Sequence, residues 1–364
     1  MQLTILSVAY PLTQVGPDAI GGSEQILTTL DRALTSAGHR SIVIAAEGSR
    51  VDGTLIPSPM TSGSLDESVR GWGRVVHRRL IQETLSRFPV DLIHMHSLDF
   101  HHYLPPTDTP ILSTLHLPPD WYPGKIFEMR RSGFHMNCVS RSQHRTCPPC
   151  SHLLEPISNG VDVGQFDTAI PKGNFALAMG RICPEKGFHF ALDAAHAAGM
   201  ELLLAGQVFP IDSHLQYFND AIRPRLDEHR RFIGPLNFAE KRRLLSQAKC
   251  LLIPSTVAET SSLVAMEALA SGTPVIAFKS GALPEVIEDG RTGFLVSNAG
   301  EMSEALLKVN SLMPEVCRET ARSRCSSHAM ALNYLRLYRN LVEEHRSSSH
   351  ADQDDRRLRI ASRS

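Results

Sequence analysis

Short apolar runs alternate with helical patterns along most of the chain. Residues 23–38 predict a helix because its apolar positions fall on one face: Ile26, Leu27, Leu30 and Leu34. Ser23 is placed to cap this helix and Gly38 to end it. Strands are predicted at residues 3–9, 40–46, 90–97, 110–116 and 136–140. Such alternation predicts a parallel sheet with helices on both faces.

The same alternation begins again after residues 155–174, a stretch rich in Pro, Gly and Asn that is typical of a linker. Strands are predicted at residues 175–180, 201–206, 231–234, 250–255 and 274–278, and helices at 188–199, 237–248 and 261–272. We therefore expect an α/β protein with two doubly wound, Rossmann-like domains that face a central cleft.

The predicted domain boundaries follow from these patterns. The N-terminal domain covers residues 1–155 and the C-terminal domain residues 173–328. A helix at 329–345 closes the fold with one apolar face: Leu332, Leu335, Tyr338 and Leu341. Residues 346–364 are polar and poor in core-forming side chains, so we expect a disordered tail.

Composition narrows the class of protein. The 364 residues are 42% hydrophobic and 21% charged, as in soluble globular proteins, and the net charge of −1 argues against bulk binding to nucleic acid. No run approaches the roughly 20 apolar residues of a membrane span, and the N-terminus lacks a basic leader, so we expect a cytoplasmic protein. The basic tract at 74–80 leaves peripheral contact with anionic lipid open, although a solvated helix face is favoured.

Seven cysteines in a chain of this length do not suggest a disulfide framework. Cys147 and Cys150 form a Cys-Pro-Pro-Cys motif with His144 and His152 nearby. A single motif of this kind is a weak zinc signal because a structural site needs about four ligands. The sequence predicts reduced structural thiols and no metal site.

Glycines and cations lie in the loops that connect predicted strands to the helices that follow them. Gly21 and Gly22 precede the first helix, whose start offers free N–H groups to an anion, but the dinucleotide fingerprint Gly-x-Gly-x-x-Gly is missing. Arg181 and Lys186 lie on a loop after a strand of the second domain, where two cations suit a diphosphate. His116 closes a strand at the corresponding edge of the first sheet.

Two glutamates stand eight residues apart in a segment of small and apolar residues. Glu259 precedes a helix, and Glu267 lies about one turn inside it among apolar neighbours. The first-turn N–H groups of Ser262, Leu263 and Val264 lack intrahelical partners and suit a phosphate. The arrangement predicts a nucleotide site in which the carboxylates bind hydroxyls on either side of the phosphate.

Six motifs in order resemble the family 4 glycosyltransferases, which have the GT-B fold. They are "GGSEQ", "TLHLP", "CVSRSQ", "NGVD", "GRICPEKG" and "ETSSLVAMEALASGTPVIA", and the resemblance covers roughly residues 1–345. It implies a retaining hexosyltransferase that moves a sugar from a UDP- or GDP-sugar to an acceptor hydroxyl, with the acceptor bound by the N-terminal domain. It also implies that no cofactor or metal is needed.

The resemblance assigns roles to individual residues. Arg181 and Lys186 match the diphosphate-binding pair, and Glu267 matches the ribose-binding glutamate. Glu259 matches the glutamate that faces the hydroxyls of the donor sugar, while His116 and Gly22 match positions that meet the transferred sugar and the phosphate. Those assignments make Glu259 and His116 the catalytic candidates.

One departure affects the sugar pocket. The family usually has Phe-Gly where this chain has Ser261 and Ser262. The donor sugar and base are therefore left open, as is the acceptor, for which polysaccharide, lipid-linked sugar and small natural product all remain. Trp121 and Tyr122 are candidates to stack on an acceptor.

Two other functions on the same fold stay as alternatives. A nucleotide-sugar epimerase would need an acid–base pair that no residues clearly supply. A non-catalytic nucleotide-sugar sensor would be expected to lose the cations or Glu259, and this chain has all three. The missing dinucleotide fingerprint disfavours a dehydrogenase.

Overall fold

The computed structural model of the chain describes residues 2–19, 21–60, 67–168 and 170–361, with side chains up to residue 347. The chain divides into two compact units. The first consists of Met1–Val139, Thr146–Ile157 and Met330–Ser364, and the second of Ser140–Arg145 and Ser158–Ala329. The first unit thus includes the C-terminal helix, which the sequence places as a separate element, and residues 140–145 belong to the second unit.

A parallel six-stranded sheet forms the centre of the first unit. Its strands lie in the order β3-β2-β1-β4-β5-β6. The strands are β1 (Thr4–Val8), β2 (Arg40–Ala46), β3 (Thr54–Ser58), β4 (Leu92–Met95), β5 (Ile111–Leu115) and β6 (Phe134–Cys138). The α-helices of this part of the chain are α1 (Gly22–Ser36), α2 (Glu67–Arg87) and α3 (Arg141–Thr146), the last mostly in the second unit. The order reverses direction between β1 and β4, as in doubly wound folds.

The second unit repeats this topology. Its parallel sheet has the order β12-β11-β10-β7-β8-β9. The strands are β7 (Phe175–Met179), β8 (Glu201–Ala205), β9 (Arg230–Gly234), β10 (Cys250–Ile253), β11 (Val275–Phe278) and β12 (Gly293–Val296). The helices are α4 (Val163–Phe166), α5 (Phe188–Ala197), α6 (Asp212–Tyr217), α7 (Phe238–Gln247), α8 (Leu263–Ala270), α9 (Leu283–Val286), α10 (Ala299–Lys308) and α11 (Pro314–Arg324).

Apolar cores cover both faces of the second sheet. Leu251 and Leu252 are neighbours on β10, yet they pack into different buried clusters because successive side chains of a strand point to opposite faces. The predicted α/β class with a parallel sheet in each half is therefore confirmed. None of the described helices is both long and apolar enough to cross a bilayer.

The beginning of α1 differs from the prediction. The helix starts at Gly22 with Gly21 as its N-cap, and Ser23 does not cap it. Ser23 Oγ instead donates to the Glu24 carboxylate, 2.9 Å away, because Ser23 already lies inside the first turn. The N-cap prediction was wrong by two residues.

The last helix, α12, runs from Ser327 to Ala361 and is longer than predicted. It continues into the segment for which the sequence predicts disorder, where no Gly or Pro interrupts it before Ala361. The final three residues of that predicted tail lie outside the described residues. Leu332 is 46% exposed and does not belong to the buried face, whereas Tyr334 is fully buried.

Two tyrosines of α12 complete the polar interior of the first unit. Tyr338 hydroxyl and His94 Nδ1 are 2.7 Å apart, and His94 Nε2 lies 2.7 Å from Thr114 Oγ1. Tyr334 hydroxyl lies 3.2 Å from the same threonine oxygen. All of these side chains are buried, so each hydrogen bond satisfies a group that has no access to water.

We expect Tyr338→Phe to lower the free energy of unfolding by about 1–3 kcal/mol because it leaves one nitrogen of buried His94 unsatisfied. Leu332→Ala, an exposed change on the same helix, should alter it by less than about 0.5 kcal/mol. Urea unfolding of both variants checks this, and equal stability of Tyr338→Phe and the parent would contradict it.

Candidate active site

Glu259 lies in the loop between β10 and α8 and is paired with a lysine. Lys186 Nζ donates to Glu259 Oε1 at 2.6 Å, and Ser255 Oγ donates to the same oxygen. The glutamate side chain is 9% exposed and that of the lysine 28%. Two residues that the sequence assigns to different parts of a donor therefore form one ion pair within the second unit.

Two glycines allow the loops that carry this pair to approach. Gly187, at φ +63°, follows Lys186, and a Cβ there would lie 2.2 Å from Pro254 O. Gly281, at φ +52°, packs on the Glu259 backbone, where a Cβ would lie 2.2 Å from Glu259 O. Only glycine adopts these conformations without strain and leaves room for the neighbouring backbone. The position of the ion pair thus depends on residues with no side chain.

Glu267 is buried in α8 and bonded to a second lysine. Lys241 Nζ, from α7, donates to Glu267 Oε1 at 2.6 Å, and the two side chains are 19% and 6% exposed. The ammonium also lies 5.5 Å from the ring centre of Phe238. Burial raises the pKa of Glu267, while the Lys241 charge and its hydrogen bond lower it in part.

The helix α8 begins at Leu263, two residues after its predicted start. Ser262 is the N-cap and makes no capping bond through its side chain, so the first turn begins at Leu263 and continues with Val264. The N–H groups at such a helix start have no intrahelical acceptor and carry the positive end of the helix dipole. They lie on the segment that follows Glu259 directly.

Arg181 lies on the loop between β7 and α5 and is exposed. Among the described residues it forms no ion pair. Burial raises the pKa of Glu185, but hydrogen bonds from its own backbone and from Cys183, together with the Arg181 charge, lower this pKa below its usual value. The structure therefore places Arg181 and Lys186 on one loop, but it pairs only Lys186 with Glu259.

The glycine pair of the first unit lies beside a carboxylate. Glu24 accepts hydrogen bonds from Thr13 Oγ1 at 2.8 Å and from Ser23 Oγ, and it is 7% exposed. A Cβ on Gly21 would lie 1.9 Å from Glu24 Oε2. The predicted anion site at Gly21 and Gly22 thus contains an acid of the chain itself, and phosphate contact there stays a prediction.

His116 follows β5 and joins two further histidines. His116 Nε2 lies 3.1 Å from His96 Nδ1, and the ring centres of His96 and His94 are 3.9 Å apart. Burial lowers the pKa of His116 to about 4, so its imidazole is neutral at neutral pH. As a neutral group, it can donate or accept a hydrogen bond without adding charge.

The aromatic pair proposed to stack on an acceptor divides between core and surface. Tyr122 is 5% exposed, and its hydroxyl accepts hydrogen bonds from the N–H groups of His116 and Leu117. This aromatic ring is therefore part of the core and not a stacking platform, whereas Trp121 is 46% exposed. The prediction for Tyr122 was wrong because its polar end is satisfied by the backbone.

All seven cysteines are free thiols. Cys147 Sγ lies 3.4 Å from Cys138 Sγ, and Cys150 packs against the same core. Within the described residues, neither thiol of the Cys-Pro-Pro-Cys motif joins His144 or His152 in a metal-binding group. Those two thiols have a packing role.

Sequence reasoning missed Lys241 and Ser255. A buried carboxylate needs a cation or several donors, so Glu267 itself signals that a partner exists. Lys241 is 26 positions earlier and looks like one of three surface cations in α7, so sequence separation hides the pairing.

Comparison with known proteins agrees with this fold. A family model described as "Glycosyl transferases group 1" matches residues 173–311, and one described as "Glycosyltransferase Family 4" matches residues 20–164. Together the two matches span more than half of the chain, which belongs to the family 4 glycosyltransferases and has the GT-B fold.

Two curated relatives from Mycobacterium tuberculosis cover most of the chain. A glycogen synthase is 27% identical over 357 residues, which is 80% of this chain and 81% of that protein. A phosphatidyl-myo-inositol mannosyltransferase is 26% identical over 343 residues, covering 83% and 86% respectively. The names of these two relatives indicate different products, so the relatives share the class of enzyme but not the product.

Solved structures share the fold at low sequence identity. AviGT4, a glycosyltransferase involved in avilamycin A biosynthesis, is 24% identical with a TM-score of 0.70, and the match covers 94% of this chain and 98% of that one. Sucrose-phosphate synthase from Thermosynechococcus elongatus is 18% identical with a TM-score of 0.75, covering 94% and 100%.

We expect Lys241→Met to lower the free energy of unfolding by about 3–5 kcal/mol at pH 8, because it leaves the Glu267 charge buried and unpaired. The loss should be smaller at pH 5. A carboxyl whose pKa is raised by folding favours the native state at low pH, and this contribution disappears as pH rises through the raised pKa.

Urea unfolding at both pH values measures this effect, with Arg243→Met on the exposed face of α7 as the matched control. Adding Glu267→Gln to Lys241→Met should recover part of the loss at pH 8. Equal losses at the two pH values, or no recovery in the double variant, would contradict this account of the pair.

Proposed function

We propose that the protein transfers a sugar from a nucleoside-diphosphate sugar to an acceptor hydroxyl with retention of anomeric configuration. The observation that carries the proposal is the Lys186–Glu259 pair directly before the N-terminus of α8. A cation, a carboxylate and free helix N–H groups together suit a diphosphate attached to a polyhydroxylated sugar.

Ligands of structural neighbours support the donor class. Anabaena Alr3699/HepE, 17% identical with a TM-score of 0.69, is solved with UDP-glucose, and the catalytic domain of Arabidopsis thaliana Starch Synthase IV is solved with ADP and acarbose. We infer a nucleoside-diphosphate sugar, with UDP or GDP as the leading bases and ADP included in the test.

Lys186 can bind a phosphate without releasing Glu259. Its ammonium has three N–H donors, and one of them is directed at Glu259 Oε1. Both contacts to Glu259 fall on Oε1, so Oε2 is the oxygen we assign to a hydroxyl of the donor sugar. Arg181 supplies a second, planar cation for the diphosphate.

We assign Glu267 to the ribose hydroxyls. Lys241 holds this carboxylate in place and offsets the effect of burial on its charge. Ribose hydroxyls do not change during transfer, so Glu267 contributes binding that is equal in the ground and transition states. His116 and Gly22 keep the roles that their resemblance implies, at the transferred sugar and the phosphate.

In the reaction, the bond from the anomeric carbon to the diphosphate oxygen breaks, and a bond to the acceptor oxygen forms on the same face. The acceptor proton passes to the departing phosphate. Negative charge grows on the diphosphate, where Arg181, Lys186 and the start of α8 stabilise it. Positive charge grows at the anomeric carbon, and the Glu259 carboxylate offsets it. No metal is part of the proposal.

We assign Ser261, near Glu259, to the sugar pocket. Ser261 Oγ is buried and has no hydrogen-bond partner among the described residues. Because buried hydroxyls are normally satisfied, a sugar hydroxyl is a suitable partner after a small rearrangement. We include cytoplasmic location in the proposal and leave the acceptor open among polysaccharide, lipid-linked sugar and small natural product.

A thermal-shift panel with UDP, GDP, ADP and their sugars tests the donor class, since a ligand of the native state raises the melting temperature. Nuclear magnetic resonance of the product anomeric carbon tests retention. No shift with any nucleotide, or an inverted product, would contradict the corresponding part of the proposal.

Arg181→Ala and Lys186→Ala should each weaken binding of the stabilising diphosphate by ~1.5–3 kcal/mol, because each removes a charge-assisted contact. Calorimetric titration measures the change. Lys308→Ala, which removes a cation of the same unit that is 66% exposed, should leave the affinity unchanged. Unchanged affinity in both site variants would remove the cationic pair from the proposal.

The two glutamates should fail differently. Glu267→Gln should mainly raise the donor KM, because Glu267 is proposed to bind the donor equally in the ground and transition states. Glu259→Gln should lower kcat by roughly tenfold to a thousandfold, because Glu259 is proposed to offset charge that grows in the transition state. Steady-state kinetics with melting temperatures alongside measure both, and Glu304→Gln, 73% exposed, is the matched control. Equal KM effects with normal kcat in both variants would contradict this division.

A further inference from the structure

Three side chains of metal-ligand type meet in the second unit, next to the loop that carries Arg181 and Lys186. Cys183, Glu185 and His214 place their ligand atoms within 4.8 Å of one another. Among the described residues, no other three side chains of metal-ligand type lie this close together. Cys183 and Glu185 follow β7, and His214 lies in α6 after β8, so spacing along the chain does not reveal the group.

One nitrogen of the His214 ring has no hydrogen-bond partner among the described residues. His214 is 8% exposed, and its Nδ1 is buried without a partner among the described residues. Buried nitrogens without a partner also occur in five other described histidines, and His214 differs from them because it lies within 4.8 Å of two other side chains of ligand type.

The backbone of the other two residues is held in place. Cys183 is fully buried in extended backbone before the short helical turn Pro184–Lys186. Glu185 O accepts the N–H of Thr256 at 2.9 Å, which ties this turn to the loop after β10. Binding an ion would therefore order few additional groups.

The donor set selects the class of ion. A thiolate, an imidazole and a carboxylate suit Zn²⁺ and similar divalent transition metals, and not Mg²⁺ or Ca²⁺. Bonds of about 2.0–2.3 Å in a tetrahedron separate ligand atoms by about 3.4–3.8 Å. Separations of up to 4.8 Å need closure by up to about 1.4 Å, which is within the range of side-chain rotation.

We propose that Cys183, Glu185 and His214 form a binding site for a Zn²⁺-type transition metal with an open fourth position. The ion would replace the thiol proton of Cys183, whose Sγ lies 3.5 Å from Arg181 O. It would connect the loop after β7 to α6. Metal binding at this site does not depend on whether the protein transfers a sugar.

Co²⁺ titration of the untagged full chain tests the site, because thiolate ligation of Co²⁺ gives charge-transfer absorption in the near ultraviolet. We expect one equivalent to bind with this absorption and to raise the melting temperature. Cys183→Ser should abolish the absorption, and His214→Gln should weaken binding by at least about tenfold, which is the effect of losing even an outer-shell partner.

Cys317→Ser is the matched control, because Cys317 is also fully buried in the second unit and lies outside the group. It should retain the absorption and the affinity. Melting temperatures without metal show whether each variant is folded, and Glu185→Gln provides a second test if Cys183→Ser unfolds. No binding to the parent, or absorption that persists in Cys183→Ser because Cys147 and Cys150 hold the ion, would overturn the proposal.

Discussion

Two lysines neutralise two nearly buried carboxylates in the second unit, which would otherwise be unpaired charges. Glu259 is paired with Lys186 and Glu267 with Lys241. A buried charge without a partner destabilises a fold strongly, so each glutamate is tolerated only because another element supplies a cation at hydrogen-bond distance. The first pair connects the loop after β7 to the loop before α8, and the second connects α7 to α8, so charge as well as packing holds these elements together.

The two pairs are not equivalent. Lys186 is more exposed than Lys241 and belongs to a loop, so it can turn toward an incoming anion while staying near Glu259. Lys241 belongs to the first turn of α7, where a capping box of Asn237 and Glu240 holds the helix start. The Lys186–Glu259 pair is thus more accessible to a ligand than the Lys241–Glu267 pair, which is the difference that the proposed roles of the two glutamates require.

The sequence supports prediction where a signal is local. Strands such as Arg40–Ala46 are apolar runs, and they were placed to within a few residues. The edge strand β3 is missing from the prediction because it is short and only partly buried, and because Pro57 ends its apolar run after Leu55 and Ile56. Motif order predicted the family, which the family models confirm. The partners of Glu259 and Glu267 escaped prediction because they come from loops and helices distant in sequence.

The helix α12 returns to the first unit after the whole second unit has been traced. Its Tyr334 and Tyr338 satisfy the buried polar groups of Thr114 and His94. These tyrosines follow all strands of the second unit in the sequence, so the buried polar groups of the N-terminal sheet obtain these partners only after that unit has been synthesised. A fragment ending at Ile157 would lack α12 and would therefore be an incomplete first unit.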